Sequence, residues 1–200
     1  MDARTHKLLA YKAYNYFTRR DIEISKLGLA VGSVKPDFVK DEISHFKDES
    51  IAIFFENFDS MKNINPYENK FSFSVKLGEL YHYIADFFTR AHNDSYFIER
   101  SVKHILCEWR LNRAAHKLED DFFENSFENG FIYDMSLEKF IENEHQKFLK
   151  NKQSFENDLN SAFKVCILMT NKLIYEMELA SSFAVPKAFN VERKLVLENA

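Results

Sequence analysis

Two pairs of residues stand out for the chemistry their spacing permits. His82 and Asp86 are four positions apart in HYIAD, and His104 and Glu108 repeat that spacing in HILCE. On a helix, positions i and i+4 share a face, so each pair can present an imidazole and a carboxylate to one point. His92 falls between the pairs in sequence. Imidazole nitrogen and carboxylate oxygen are donors that suit zinc, at about 2.0–2.2 Å in tetrahedral or five-coordinate geometry. Taken singly, such a pair is most often a solvated ion pair. Here apolar residues adjoin both: Tyr83, Ile84 and Ala85 follow His82, and Ile105 and Leu106 follow His104. Charges turned inward need a partner or a cation, because desolvation otherwise costs on the order of several kcal/mol each. Two adjacent helices with these pairs, and His92 at their junction, suit a metal cluster inside a helical bundle.

The run His82-x3-Asp86-x5-His92-x11-His104-x3-Glu108 resembles the core signature of the bacterial zinc-dependent phospholipase C family. The fungal zinc nucleases that cut single-stranded nucleic acid and 3′-nucleotides share that fold and cluster. The resemblance extends upstream to His6, to Asp37 after the proline of VKPD, and to His45 in EISH. It implies an all-α, single-domain, phospholipase C-like bundle with two or three Zn2+ ions between its helices. By that pattern Asp37, His45, His82 and Asp86 would hold one ion. Its neighbour would take His6, the N-terminal backbone and the second oxygen of a bridging Asp86. A third would take His92, His104 and Glu108.

The activity this resemblance implies is hydrolysis of a phosphoric diester. Paired divalent ions polarise phosphoryl oxygens and lower the pKa of a water, so that hydroxide attacks phosphorus at neutral pH. Asp37 and Asp86 are then the catalytic carboxylates, Asp86 as the bridge and Asp37 as the group that orients or deprotonates the water. The implied substrate is a phospholipid or a small phosphodiester, with peripheral membrane contact. Two other readings stand beside it: a nuclease-like or 3′-nucleotidase-like zinc phosphoesterase, and a non-catalytic helical protein that retains structural zinc.

The elements that must position these residues read as helices. Apolar residues recur at helical spacing over residues 4–20, and again over 48–62, where Ile51, Phe54, Phe55, Phe58 and Met61 form one stripe. Asn65-Pro66 breaks that helix. Longer helices are expected over 71–91 and 95–118, antiparallel across the short linker His92-Asn93-Asp94, with Ser95 as the N-cap of the second. Two more are expected over 136–150 and 154–180, the latter carrying Leu159, Phe163, Cys166, Thr170 and Leu173. The stretch LGLAVGSVKPD, from Leu27 to Asp37, holds two of the four glycines and one of the three prolines and reads as a loop. Residues 120–135 read as a polar and aromatic connection. The helical domain is expected to span residues 1–185, with 186–200 as a C-terminal tail.

Composition narrows the function classes. With 27 Lys and Arg against 31 Asp and Glu, the net charge of −4 argues against a dedicated nucleic-acid partner. Apolar residues at 46% and 21 Phe allow a substantial core. Four glycines and three prolines are too few for a many-stranded sandwich. Two cysteines, Cys107 and Cys166, cannot frame a disulfide scaffold and read as buried thiols. The start of the chain lacks the pattern of a secretory signal, and no window reaches the ~20 apolar residues of a transmembrane span. The expected location is cytoplasmic. His116 and His145 lie in polar stretches and read as surface residues. Arg100, Arg110 and Arg113 read as partners of surface acids, Arg19-Arg20 as a solvated helix end, and Glu119-Asp120-Asp121 as a solvated loop.

Overall fold

A computed structural model describes residues 1–19, 23–39, 45–93, 101–118 and 134–184. Among these residues there are seven α-helices and no strand: α1 Ala3–Thr18, α2 Lys26–Phe38, α3 Lys47–Met61, α4 Lys70–Phe87, α5 Val102–Ala115, α6 Leu137–Lys150 and α7 Phe155–Ala184. A 3-10 turn, Arg90–His92, follows α4. Most helices start on a side-chain cap that accepts from a first-turn amide otherwise left without a partner. Asp2 accepts from Thr5, Ser25 from Gly28, Asn69 from Ser72, Ser101 from His104 and Ser136 from Lys139.

The central element is α4. Every residue from Leu80 to Thr89 is buried, so this helix end is enclosed on all sides rather than amphipathic. It packs against α2, α3, α7 and α1, while α6 and α5 pack on α7, and α5 also on α1. Phe17, Phe54, Phe87, Phe88 and Phe163 are among the largest side chains in the core, so the phenylalanine stripes are packing residues. Both cysteines are buried free thiols. Among the described residues, no helix is long and apolar enough to cross a membrane.

Three expectations are corrected. The stretch Leu27–Asp37 is helical, as α2, and its glycines serve close packing rather than a turn. A Cβ on Gly32 would lie 1.9 Å from the Val75 carbonyl oxygen, and one on Gly78 would lie 2.4 Å from that of Leu29. The backbones of α2 and α4 are in contact here, and no side chain fits between them. Pro36 lacks the N–H that would bond to Gly32, and the helix ends two residues later.

The second correction concerns α5, which is capped by Ser101 and packs on α7 and α1 rather than lying along α4 as an antiparallel neighbour. The chain leaves α4 through the 3-10 turn, which breaks the simple hairpin geometry. Ser95, the expected cap, lies outside the described residues, as do Arg20, Arg100, Glu119-Asp120-Asp121, most of the 120–135 connection and the 186–200 tail.

The third concerns surface assignments. His145 is buried, 5% exposed, because it shares the stripe of Leu137, Phe140, Ile141 and Phe148 on α6. His116 is exposed as expected, and so is Arg110. Arg113 lies over the exposed Trp109 ring, 5.6 Å from its centroid.

Candidate metal centre

His6, Asp37, His45, His82, Asp86, His92, His104 and Glu108 come from six segments and converge in one contiguous cluster. α1 carries His6, and the last turn of α2 carries Asp37. His45 stands just before α3, and α4 carries His82 and Asp86. The 3-10 turn supplies His92, and α5 supplies His104 and Glu108. Within the cluster three triads have donor atoms all within 4.8 Å of one another: His6, His82 and Asp86; Asp37, His45 and His82; His92, His104 and Glu108.

Asp86 is the hub. Its Oδ2 lies 2.7 Å from His45 Nδ1 and 3.3 Å from His82 Nε2, and its Oδ1 lies 3.3 Å from His6 Nε2 and 3.4 Å from His92 Nε2. The Met1 nitrogen also contacts Oδ1 and sits 3.0 Å from His92 Nε2 and 3.2 Å from Glu108 Oε1. A positive charge therefore stands between the two carboxylates at the centre of the cluster. Burial alone would raise the Asp86 pKa, but the Met1 ammonium, then His92, His6 and His82, hold it well below the usual carboxylate range. For the amine the balance is reversed. Burial disfavours its charge, yet Asp86 and Glu108 raise its pKa above the ordinary value.

The orientation of His82 follows from the packing of α2 on α4. Its Nδ1 lies 3.1 Å from the Ser33 carbonyl oxygen. A carbonyl only accepts, so Nδ1 carries the proton and the Nε2 lone pair faces Asp37, His45 and Asp86. A histidine fixed from behind in this way is the arrangement that supports metal ligation. The contact depends on Gly32 and Gly78, which let the Ser33 carbonyl come within reach. The His6 ring stacks on that of His82, with centroids 4.0 Å apart.

In the second half, Glu108 Oε1 lies 3.2 Å from His104 Nε2 and 3.6 Å from His92 Nε2. Burial opposes ionisation of Glu108, but hydrogen bonds from His104 and His92 hold its pKa far below the ordinary value. Asp37 differs from both other acids. It is the most solvent-open carboxylate of the set, with Oδ1 4.0 Å from His82 Nε2, and burial raises its pKa. Burial also pushes His6 down to about 3, while the hydrogen bond to Asp86 raises His45.

The donor chemistry fits divalent cations. Both ring nitrogens of His6, and Nδ1 of His92 and His104, are buried without a hydrogen-bond partner among the described residues. Unpartnered buried imidazole nitrogens are costly, and a cation beside His6 Nε2, which faces Asp86, satisfies a lone pair that protein groups here do not.

Ile105 and Leu106 are exposed, at 56% and 46%, so they do not bury His104. His104 is enclosed because it lies on the opposite, core-facing side of α5 with Cys107 and Leu111. Sequence reasoning did not single out Ser33, which hydrogen-bonds His82, or Asn93, His145 and Asp158, which hydrogen-bond around the turn that carries His92. The apolar stripe of α6 was the available signal for His145; the other three have no local signature.

The family described as zinc dependent phospholipase C matches residues 5–166. No curated protein and no solved structure matches the chain.

Proposed function

From the chain's membership of the zinc-dependent phospholipase C family, we propose that it hydrolyses a phosphodiester, in a phospholipid or a lipid-like substrate, using Zn2+ held by the eight clustered residues. The observation that carries this reading is the convergence of three donor triads on the buried hub Asp86. Asp37, His45, His82 and Asp86 would hold one ion. His6, Asp86 and the Met1 backbone, its amine giving up a proton on binding, would hold a second, and His92, His104 and Glu108 a third. Zinc at these positions supplies Lewis acidity toward phosphoryl oxygens and makes a water nucleophilic near pH 7.

The chain's own residues divide the remaining tasks. Asp86, ionised and enclosed, joins the two halves and fixes their separation. His82 presents a lone pair whose direction is set by Ser33. Asp37, the most solvent-open carboxylate of the cluster, is suited to orient a water and to take its proton. Exposed Phe38 and Val39 directly follow Asp37 and give the rim an apolar edge that suits a lipid better than a hydrated polyanion.

The test combines metal content with turnover. The purified protein loaded with Zn2+ is expected to release a phosphorylated headgroup from phosphatidylcholine dispersed in detergent, and to lose that activity with a chelator. Zinc content is expected to fall in His82→Ala and in Glu108→Ala. Unchanged stoichiometry in both variants would contradict the ligand set. Turnover of 3′-nucleotides or single-stranded DNA without lipid would assign the site to nuclease-like chemistry. A folded, zinc-loaded protein inert on all of these would leave the metal a structural role.

A further inference from the structure

His92 is held differently from His82. The His82 ring is oriented by its own Nδ1 hydrogen bond, whereas His92 Nδ1 has no partner among the described residues. His92 also stands on a 3-10 turn of three residues rather than inside a helix. The rings of Phe46 and His104 meet it edge-on, and beyond those contacts its direction comes from the backbone that carries it. That backbone is gripped at both ends by buried polar side chains from helices that carry no member of the cluster.

At one end, Asp158 of α7 accepts from the Arg90 backbone N–H and from Arg90 Nε, both at 3.2 Å to Oδ2. The guanidinium also lies over the Phe155 ring, 4.3 Å from its centroid. At the other end, Asn93 donates through Nδ2 to the carbonyl oxygens of Phe87 and Thr89, each at 2.8 Å. Those two bonds settle which way the amide faces and leave Oδ1 toward His145 of α6, with Nε2 at 2.8 Å. Oδ1 only accepts, so His145 is the donor and its Nε2 carries the proton. Thr89 closes the set by donating from Oγ1 to the Ala85 carbonyl, 2.6 Å away.

We propose that Asp158 and His145 are positioning residues for His92, with α6 and α7 clamping the turn from Thr89 to Asn93 so that the His92 imidazole faces Glu108 and Asp86. Stability alone does not account for them. Both are 5% exposed or less, Asp158 leaves Oδ1 without a hydrogen bond, and His145 leaves Nδ1 without one. Well-packed apolar residues at such positions are often as stable or more so. What apolar contacts do not supply is a fixed direction for a short turn, and hydrogen bonds at both of its ends do. Outer residues that orient a metal ligand typically contribute 10- to 100-fold in metal affinity.

The inference rests on the proposed metal centre, so the test reads metal binding directly and not turnover. His145→Leu and Asp158→Ala are titrated with Zn2+ against a competing chelator, and their Co2+-substituted forms are compared with the wild type by visible absorption. The expected result is loss of affinity for one ion by about 10- to 100-fold, with a shifted cobalt spectrum and the other ions retained. His145→Gln, which keeps an N–H donor, and Asp158→Asn, which keeps an oxygen acceptor, are expected to recover most of both signals. Phe163→Leu, which loosens the packing of α7 where Phe163 meets Tyr16 of α1, is expected to leave the ions unchanged. If Asp158→Ala does not fold, the His145 pair decides, and Arg90→Met, which removes only the side-chain half of the Asp158 contact, is a further handle. Folded variants with wild-type affinity and spectrum overturn the proposal, and so does an equal loss in Phe163→Leu. A wild-type protein that takes up no metal overturns both this and the function it rests on.

Discussion

Asp86 and Asp158 are the same residue type with almost the same lack of solvent, 0% and 1% exposed, yet they behave as opposite acids. Asp86, at the hub of the cluster, is held far below the usual carboxylate range. Asp158, on the helix that braces the cluster, is pushed up to about 6. Burial raises both. The difference lies in the partners: Asp86 faces four imidazoles and the Met1 ammonium across both of its oxygens. Asp158 faces one arginine across one oxygen. A buried carboxylate surrounded by donors on both sides is a permanent anion and a place for cations. One with a single partner is a structural acceptor whose charge is barely tolerated. The molecule thus separates a region that concentrates negative charge from a region that only has to hold the first one still.

Substitution at Asp86 separates the two acids most decisively. Asp86→Asn keeps the shape and removes the charge that five nitrogens face. Removing one partner of a buried ionic cluster costs about 3–5 kcal/mol. The expected outcome is loss of at least one zinc by elemental analysis and a fall in phosphodiester turnover of ~100-fold or more, since site and metal are coupled. A variant that retains full zinc and activity would show that Asp86 is not the hub. The next largest effect is expected at Gly32. An alanine there places a methyl carbon 1.9 Å from the Val75 carbonyl oxygen, so α2 and α4 must separate. Overpacking of this severity costs about 3 kcal/mol, a drop of roughly 6–12 °C in Tm for a chain of this size. Because Ser33 moves with α2, His82 loses its orienting carbonyl, and zinc affinity is expected to fall with Tm. An unaltered Tm would mean that the two backbones are not in contact.

Local spacing explains which of these features could be read from sequence. The pairs His82–Asp86 and His104–Glu108 are visible because helical periodicity puts i and i+4 together whatever surrounds them. Most helix positions were legible for the same reason, from Leu9–Ala13–Phe17 in α1 to Leu159–Phe163–Cys166 in α7. α2 was misread because Gly and Pro are the usual marks of a turn. Gly28 and Gly32 are nonetheless themselves four apart, the spacing that lines one helix face for close packing. Gly78 answers them from α4, which only the tertiary fold reveals. The clamp was illegible in a stronger sense. Arg90 meets Asp158 across 68 positions and Asn93 meets His145 across 52, so no local pattern joins them. Only His145 left a trace, as the polar member of the α6 stripe.

The pH dependence that Asp158 imposes is smaller, and it tells the two aspartates apart directly. Its folded pKa, about 6, stands above the ordinary carboxylate value, first because of burial and despite Arg90. An acid whose folded pKa is raised contributes stability that is complete below the unfolded pKa. That contribution is lost as the pH rises through the folded value. Ionised Asp158 therefore costs stability above about pH 6, on the order of 2–3 kcal/mol from the two-unit difference. Asp86, with a lowered pKa, works in the other sense and contributes from about pH 4 upward. Asp158→Asn removes the first dependence and leaves the second. Relative to the wild type, it is expected to be more stable at pH 7.5 than at pH 4.5, by a Tm difference of several degrees. Thermal melts of both proteins at the two pH values measure this directly. If the variant loses equal stability at both, Asp158 is an ordinary ionised partner of Arg90. The two buried aspartates would then differ in their surroundings but not in their charge.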